Sequence, residues 1–287
     1  MRVAALTMVY DEAEYLPVWL RHHAAQLGIG ACHVIDHGSG DGSVAAALAE
    51  FPGMGVIRLP RTPHDDAKRA ELVADVTAGL LRYYDAVIYA DVDELVVPAR
   101  AHTLSALESG DLPEIGYAVG LNLLQMPEER ALDMRRAVGG QRRFAWFASA
   151  LCKPVLARRR PVWAPGFHSA DAAPEFGALY LVHLRYADRE IACRRLARTR
   201  GMAWARQEGG AHQRMAEANF LEMFARLQAM DRDVPAVLAP DLPPLMAWLE
   251  RVTAASIGRE AERYRFPLDI ENYRLWALPE WLRAGLG

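Results

Sequence analysis

The side chains best suited to chemistry stand in one short stretch, where five apolar residues, 86–90, run directly into Asp91, Asp93 and Glu94. An apolar run of this length predicts a strand buried on both faces of a parallel sheet, and open α/β sheets bind ligands at the carboxyl edge. Alternation along the strand places Asp91 and Asp93 on the same side. Two neighbouring carboxylates repel each other unless a cation such as Mg²⁺ or Mn²⁺ neutralises them, often together with substrate phosphates. The alternative is an acidic turn after a core strand.

The elements that precede these acids follow a regular pattern. Strand-like and helix-like segments alternate through residues 1–94 as β-α-β-α-β-α-β, which predicts an α/β fold with a parallel sheet flanked by helices. The predicted strands are 3–9, 33–36, 55–59 and 86–94, and the predicted helices are 11–27, 44–50 and 65–82.

A glycine-rich turn at 36–42 follows the second strand and permits two interpretations. Its D-x-G-x-G-x-G pattern also fits the loop of S-adenosylmethionine-dependent methyltransferases. That loop requires an acid at the end of the next strand, and the strand at 55–59 is followed by Pro60 and Arg61 instead. The methyltransferase interpretation is therefore disfavoured, since a glycine loop alone is weak evidence.

Lys68 and Arg69 lie in the first turns of the third predicted helix. Because a cation at that end opposes the helix dipole, an anionic partner such as a phosphate would explain them. Solvated surface charges explain them equally well.

After Pro98 the pattern becomes irregular. Strands are predicted at 115–124 and 179–186, and a β-prone aromatic segment at 144–156 carries Lys153. His183 stands on an otherwise apolar strand, where a histidine is either a core residue or a metal ligand. Helices are predicted at 189–206, 212–230 and 242–258, so we expect one domain over residues 1–186 and a helical C-terminal extension over 187–287.

Composition limits the classes of function. The chain has 287 residues, of which 52% are hydrophobic and 24% charged, as in ordinary globular proteins. Its formal net charge of −3 disfavours general nucleic-acid binding. The three cysteines are far apart and form no CxxC motif, which predicts a reducing compartment and no zinc cluster. No signal peptide or membrane-spanning run is predicted, so we expect a cytoplasmic protein; peripheral membrane contact and the oligomeric state stay open.

Several motifs occur in one order and together resemble a known family. Residues 11–23 resemble N-E-x-x-x-L-x-x-W-L-x-x-H with Asp11 in place of asparagine, residues 36–43 fit D-x-x-S-x-D-G-[ST], and residues 91–95 fit D-x-D-E-[FL]. The sequence is similar to the family 2-type glycosyltransferases of GT-A fold, in the branch related to the DUF23-like enzymes. The similarity covers residues 1–186 and is completed by Lys153, His168 and His183.

The resemblance implies a role for each of these residues. Glu12, Asp36 and Asp41 would border the base and ribose of a nucleotide-sugar. Asp91 and Asp93 would hold Mn²⁺ or Mg²⁺ on the diphosphate, with His183 as the third protein ligand, and Lys68, Arg69 and Lys153 would offset the remaining phosphate charge. The catalytic residues would be His168, Asp93 and Glu94, and the candidates for the base that deprotonates the acceptor are His168, Glu94, Glu128, Glu129 and Asp133.

The predicted function is a metal-dependent, inverting transfer of a sugar from a nucleotide-sugar to a glycan or lipid-linked acceptor. A sugar nucleotidyltransferase is one alternative, although residues 8–16 lack the glycine- and lysine-rich phosphate loop that it needs. A non-catalytic glycan- or nucleotide-binding protein of the same fold is the other. We expect Asp93→Asn to abolish transfer while changing the free energy of unfolding by no more than about 1 kcal/mol, as is usual for acids in a surface cleft.

Overall fold

The computed structural model describes residues 1–99, 103–108, 110, 112–205, 213–233, 243–260 and 262–287. Its amino-terminal half contains the predicted parallel sheet, with strand order β4-β1-β2-β3. Helices lie between successive strands, as the alternating pattern predicts. The elements are β1 (Val3–Val9), α1 (Tyr15–Leu27), β2 (Cys32–Asp36), α2 (Ser43–Glu50), β3 (Gly55–Arg58), α3 (Asp66–Leu80) and β4 (Ala86–Tyr89).

The first helix begins later than its acidic residues suggest. Asp11 has a left-handed φ of 51°, a conformation that asparagine and aspartate tolerate better than most residues, and the helix starts only at Tyr15. The Oδ1 atom of Asp11 accepts a hydrogen bond of 2.7 Å from the backbone N–H of Gly40. Asp11 therefore ties the end of β1 to the glycine-rich turn that follows β2.

The glycine-rich turn has a steric reason for its composition. Gly38 has a φ of +74°, and a Cβ atom at this position would lie 2.7 Å from the backbone nitrogen of Arg61. A side chain there would clash with the segment that follows β3, so only glycine fits.

The acidic stretch is two strands rather than one. β4 ends at Tyr89, residues 90–93 form a turn, and β5 (Glu94–Pro98) leaves the parallel sheet to pair with β9. Within the turn, the N–H of Asp91 donates to Oε2 of Glu94 at 3.0 Å. Asp91 and Asp93 thus lie at the carboxyl edge, as predicted.

The second half of the sheet is largely antiparallel. β8 continues the sheet from β4 in the antiparallel sense, and β6 pairs with β7 and β8 antiparallel and with β9 parallel. The predicted strands at 115–124 and 179–186 are confirmed, whereas the segment 144–156 is broken between β7 and β8. The bounds are β6 (Ile115–Leu124), β7 (Phe144–Phe147), β8 (Pro154–Ala157) and β9 (Leu179–Tyr186).

Residues after 186 form both helices and strands. The Asp188 carboxylate accepts hydrogen bonds from two N–H groups of the first turn of α4, and β13 extends the main sheet by pairing with β7. The predicted helix ends at 206, 212 and 242 lie outside the described residues, and the division at 186 stays a prediction. The elements are α4 (Arg189–Gly201), α5 (Glu217–Gln228), β10 (Arg232–Asp233), α6 (Pro243–Ala255), β11 (Ile257–Glu260), β12 (Arg263–Arg265), β13 (Leu275–Ala277) and α7 (Glu280–Ala284).

The largest hydrophobic core links these parts. Leu16, Trp19 and Leu20 of α1 are fully buried in a cluster that also contains Trp276 and Leu282. The predicted α/β class is confirmed: helices flank a large curled sheet with a Rossmann-like parallel half, consistent with a GT-A fold. In the parts of the chain that the structure describes, no helix has the length and apolar character needed to cross a bilayer.

Candidate active site

A cavity of about 850 Å³ opens where the parallel strands β1, β2 and β4 end. This is the edge at which open α/β sheets bind ligands. Most of the residues singled out from the sequence line it, and their side chains carry both signs of charge. They are Glu12, Arg69, Asp91, Asp93, Glu94, Lys153, His168 and His183.

Asp91 is neutralised from two directions. The Nζ atom of Lys153 lies 2.8 Å from one carboxylate oxygen, and Nη2 of Arg69 lies 3.3 Å from the other. Burial acts to raise the pKa of Asp91, but the charges of Lys153 and Arg69 outweigh it and hold that pKa well below its usual value. The carboxylate is therefore ionised at neutral pH.

Lys153 also contacts Glu94, and this contact explains the glutamate's position. Nζ of Lys153 lies 2.6 Å from Oε1 of Glu94, whose Oε2 accepts the hydrogen bond from the Asp91 N–H. Glu94 is 2% exposed, and both of its oxygens are engaged. It supports the turn and holds Lys153 in place, which favours a positioning role over that of the base.

Asp93 forms a second buried cluster, with His183 and Arg195. The pairing of β5 with β9 sets Glu94 opposite His183, and this register brings Nε2 of His183 to 3.0 Å from Oδ2 of Asp93. The guanidinium group of Arg195 donates to the same oxygen. Although burial acts to raise the pKa of Asp93, Arg195 and His183 lower it well below the usual value.

His183 is held from its other side as well. Its Nδ1 atom lies 3.0 Å from Oδ1 of Asn122, which is its neighbour in the parallel pair β6–β9. The ring is thus fixed between an amide and a carboxylate at the cavity wall.

Glu12 is the third carboxylate with paired cations. Oε1 accepts from Nε of Arg195 at 3.0 Å, and Oε2 lies 2.9 Å from Nη2 of Arg198. Both arginines lie on helix α4, one turn apart. They connect the carboxyl end of β1 with the part of the chain beyond residue 186.

One ring nitrogen of His168 is committed to a backbone carbonyl. Nδ1 lies 2.7 Å from the carbonyl oxygen of Ala150, so Nδ1 carries the proton and Nε2 is the nitrogen that can accept one. Burial and the nearby charge of Lys153 lower the pKa of His168 to about 4. The imidazole is therefore neutral at neutral pH.

Three predicted nucleotide-binding residues do not line the cavity. Asp36 is 7% exposed and accepts a hydrogen bond from the N–H of Ser39, so it shapes its own turn. Asp41 is exposed and accepts a hydrogen bond from the N–H of Ser43. Lys68 is exposed to solvent, whereas the next residue of the helix, Arg69, faces the cavity. Their part in nucleotide binding stays a prediction.

The remaining candidates for the base also lie elsewhere. Glu128 and Asp133 are exposed, and Glu129 accepts from the N–H of Met126 in its own loop. None of the three lines the cavity, whereas His168 and Glu94 do, and Glu94 has both oxygens engaged.

Arg195 and Arg198 are among the cavity residues that were not singled out from the sequence, and they contact its carboxylates directly. The one signal that points to them is their spacing, because arginines three apart on a helix share a face. That face became informative only when the structure placed it against Glu12 and Asp93.

The residue types at this site fit a divalent cation, but the protein does not cage one. No group of three or more His, Cys, Asp or Glu side chains among the described residues is arranged to hold a metal ion. Asp93 Oδ2 and His183 Nε2 lie 3.0 Å apart. Adjacent ligands of an octahedral ion are separated by about 3.0 Å when each bond is about 2.1 Å, and Mg²⁺ commonly takes one or two carboxylates plus substrate phosphates. A cation is thus compatible with these residues once a diphosphate supplies further ligands.

Comparisons with known proteins give structural neighbours only. No family model matches the chain, and no curated protein matches it. A crystal structure of S. aureus TarS (residues 1–349) in complex with UDP is 12% identical, with a TM-score of 0.36, and the match covers 77% of this chain and 71% of that one. Glucosyl-3-phosphoglycerate synthase from Mycobacterium tuberculosis, in complex with Mn²⁺, UDP and glucosyl-3-phosphoglycerate, is 18% identical, with a TM-score of 0.26.

These likenesses are weak. The match with the synthase covers 32% of this chain and about a third of the other, 34%. A second synthase structure, with Mn²⁺ and UDP-glucose, has a TM-score of 0.30 over 42% of this chain and 43% of that one. Similarity at this level does not transfer an activity, and the DUF23-like branch stays a prediction.

Proposed function

We propose that this protein is a glycosyltransferase that moves a sugar from a nucleotide-sugar donor to a hydroxyl group of a glycan or lipid-linked acceptor, with inversion at the anomeric carbon. The observation that carries the proposal is the combination of Asp91, Asp93, Lys153 and Arg69 in one cavity at the carboxyl edge of the sheet. At about 850 Å³, this cavity has the size of sites that enclose small ligands.

The cations of the cavity suit a diphosphate leaving group. When the bond between the anomeric carbon and the phosphate oxygen breaks, the bonding electrons remain on the nucleoside diphosphate. Lys153 and Arg69 would stabilise that charge, because cations held in place in a partly buried site need no reorganisation as it develops, and Arg195 lines the same cavity. Arginine is also well suited to bidentate contacts with phosphate oxygens.

His168 is the proposed base. Its Nδ1 atom is committed to the Ala150 carbonyl, so Nε2 would take the proton of the acceptor hydroxyl as that oxygen bonds to the anomeric carbon. The low pKa, about 4, keeps the ring neutral and able to accept a proton, and it also makes His168 a weak base in the nucleotide-free protein.

Mn²⁺ or Mg²⁺ is the proposed cofactor, and Asp91, Asp93 and His183 are the residues that would hold it. Such an ion, when bound with the donor, supplies Lewis-acid stabilisation of the diphosphate. Glu12 would border the nucleoside. The residues of the donor site would then all come from 1–186 except Arg195, which belongs to the C-terminal extension.

A thermal-shift screen tests the proposal. UDP, GDP, ADP and CDP are added to the full chain with and without Mn²⁺. A nucleotide at a hundred times its Kd should stabilise the protein by about 2.7 kcal/mol, and one with no affinity should not change the melting temperature. No shift with any diphosphate would contradict the proposal.

Product analysis then separates the alternatives. The proposed enzyme should slowly hydrolyse its nucleotide-sugar and release a nucleoside diphosphate. A binding protein should release nothing, and a nucleotidyltransferase incubated with a nucleotide-sugar and pyrophosphate should form a nucleoside triphosphate.

A further inference from the structure

Arg195 reaches the cavity from helix α4 and contacts two carboxylates that follow different strands. It donates to Oδ2 of Asp93 and, through Nε, to Oε1 of Glu12 at 3.0 Å. Its guanidinium carbon lies 5.1 Å from the ring centre of Tyr15. The side chain is 24% exposed and lines the cavity.

The oxygen that Arg195 contacts is one that a divalent cation would need. Asp93 Oδ2 already accepts from both His183 and Arg195. A cation bound at this oxygen would stand beside the guanidinium group, and two positive charges at about 4 Å repel strongly in a partly buried site. Arg195 and the cation therefore compete for Asp93.

We propose that Arg195 occupies the cation position at Asp93 in the nucleotide-free protein and exchanges this carboxylate for the diphosphate, so that a divalent cation binds only together with a nucleoside diphosphate. This inference rests on the proposed function. Asp93 offers Arg195 a single oxygen, whereas a diphosphate offers oxygens that can accept from two of its N–H groups at once. The exchange frees Asp93 for the cation at the moment when the anion arrives, which keeps the charge of the site nearly constant.

Arg198 would keep Glu12 paired with a cation during this exchange. When Arg195 leaves, Glu12 keeps its contact with Arg198, whose Nη2 lies 2.9 Å from Oε2. Arg198 also lies 3.6 Å from Glu14, and Arg194 lies 3.2 Å from the same glutamate. Helix α4 thus stays anchored by its other arginines, and no buried carboxylate loses all of its partners.

The test is a calorimetric titration of the full chain with Mn²⁺ alone. Wild type should bind weakly, whereas Arg195→Gln should bind at least about tenfold more tightly, since a positive charge next to the ion has been removed. Arg200→Gln is the matched control, because Arg200 lies on the same helix but is exposed, and it should behave as wild type. Equal Mn²⁺ affinity in wild type and a folded Arg195→Gln variant overturns the proposal.

A second titration repeats the measurement in the presence of UDP and, separately, GDP. Wild type should gain far more Mn²⁺ affinity from the nucleotide than Arg195→Gln does, and an equal gain in both proteins overturns the exchange. If neither nucleotide binds to either protein, the proposed function is in question, while the titrations with Mn²⁺ alone still decide the role of Arg195. Should Arg195→Gln fail to melt cooperatively, Arg195→Met replaces it, since methionine keeps much of the length of the side chain but carries no charge; a folded variant without any gain in Mn²⁺ affinity also overturns the proposal.

Discussion

Replacing Asp93 by asparagine should cost more stability than its place in a cleft suggests. Asp93 is 3% exposed and accepts from both Arg195 and His183. Hydrogen bonds to charged groups contribute about 1.5–3 kcal/mol each. The asparagine oxygen still accepts, and Arg195 keeps Glu12 as a partner, so part of this contribution survives. We therefore expect a loss of about 1–3 kcal/mol, where the sequence alone suggested no more than about 1.

Urea unfolding of Asp93→Asn measures this loss, and an unchanged m value shows that the folded state is otherwise the same. The control is Asp75→Asn, because Asp75 pairs with Arg160 at 2.7 Å on the surface, with side chains 61% and 44% exposed. Exposed pairs contribute about 0–1 kcal/mol, so this variant should change little. Equal losses in the two variants would refute the reasoning about burial.

The pH dependence of the same variant gives an independent check. Because the pKa of Asp93 is lowered in the folded state, its contribution is present above the unfolded value of about 4 and is lost as the pH falls through the folded value. The difference in stability between wild type and Asp93→Asn should therefore be constant near neutral pH and shrink below about pH 4. A difference that grows on acidification would mean that Asp93 is protonated in the folded protein.

Further predictions concern the other cavity residues and a buried histidine. His168→Gln should lower kcat by about 10²–10⁴ with little change in the donor KM, and steady-state kinetics that show a normal kcat would exclude His168 as the base. Lys153→Met, which leaves Asp91 and Glu94 without their shared cation, should cost about 3–5 kcal/mol in urea unfolding, and Glu94→Gln in the same chain should restore part of it. Burial lowers the pKa of His22 to about 4 in the folded protein, so on acidification the unfolded chain binds a proton at this histidine first. His22 should therefore lower the free energy of unfolding by about 2 kcal/mol between pH 7 and pH 5. A His22→Gln variant whose stability changes with pH as steeply as that of wild type would contradict this.

The sequence was most informative where local pattern and burial agree. The apolar run at 86–90 predicted a buried strand ending in acids, and the strands at 115–124 and 179–186 follow from β-prone residues that are almost entirely buried. The predicted grouping of His183 with Asp93 agrees with the structure because strand register, set by β5 and β9, places them side by side.

The sequence was least informative where position depends on tertiary packing. The face of α4 that carries Arg195 is polar, and nothing in its own pattern says which surface it meets. Lys68 and Arg69 show the same dependence on packing. Side chains at adjacent positions of a helix point about 100° apart, and of these two only Arg69 faces the cavity. The acidic motif likewise did not reveal that protein cations already neutralise its members.

Both guanidinium groups at Glu12 come from beyond residue 186, so a chain that ends there would lack them. A fragment that ends at 186 would keep Glu12 and Asp93 but lose Arg195 and Arg198. Its cleft would carry surplus negative charge and repel phosphates, even if the fragment folded. Truncation at residue 186 would therefore remove two of the four cations that pair with the cavity carboxylates described above, Arg195 and Arg198, and leave Arg69 and Lys153.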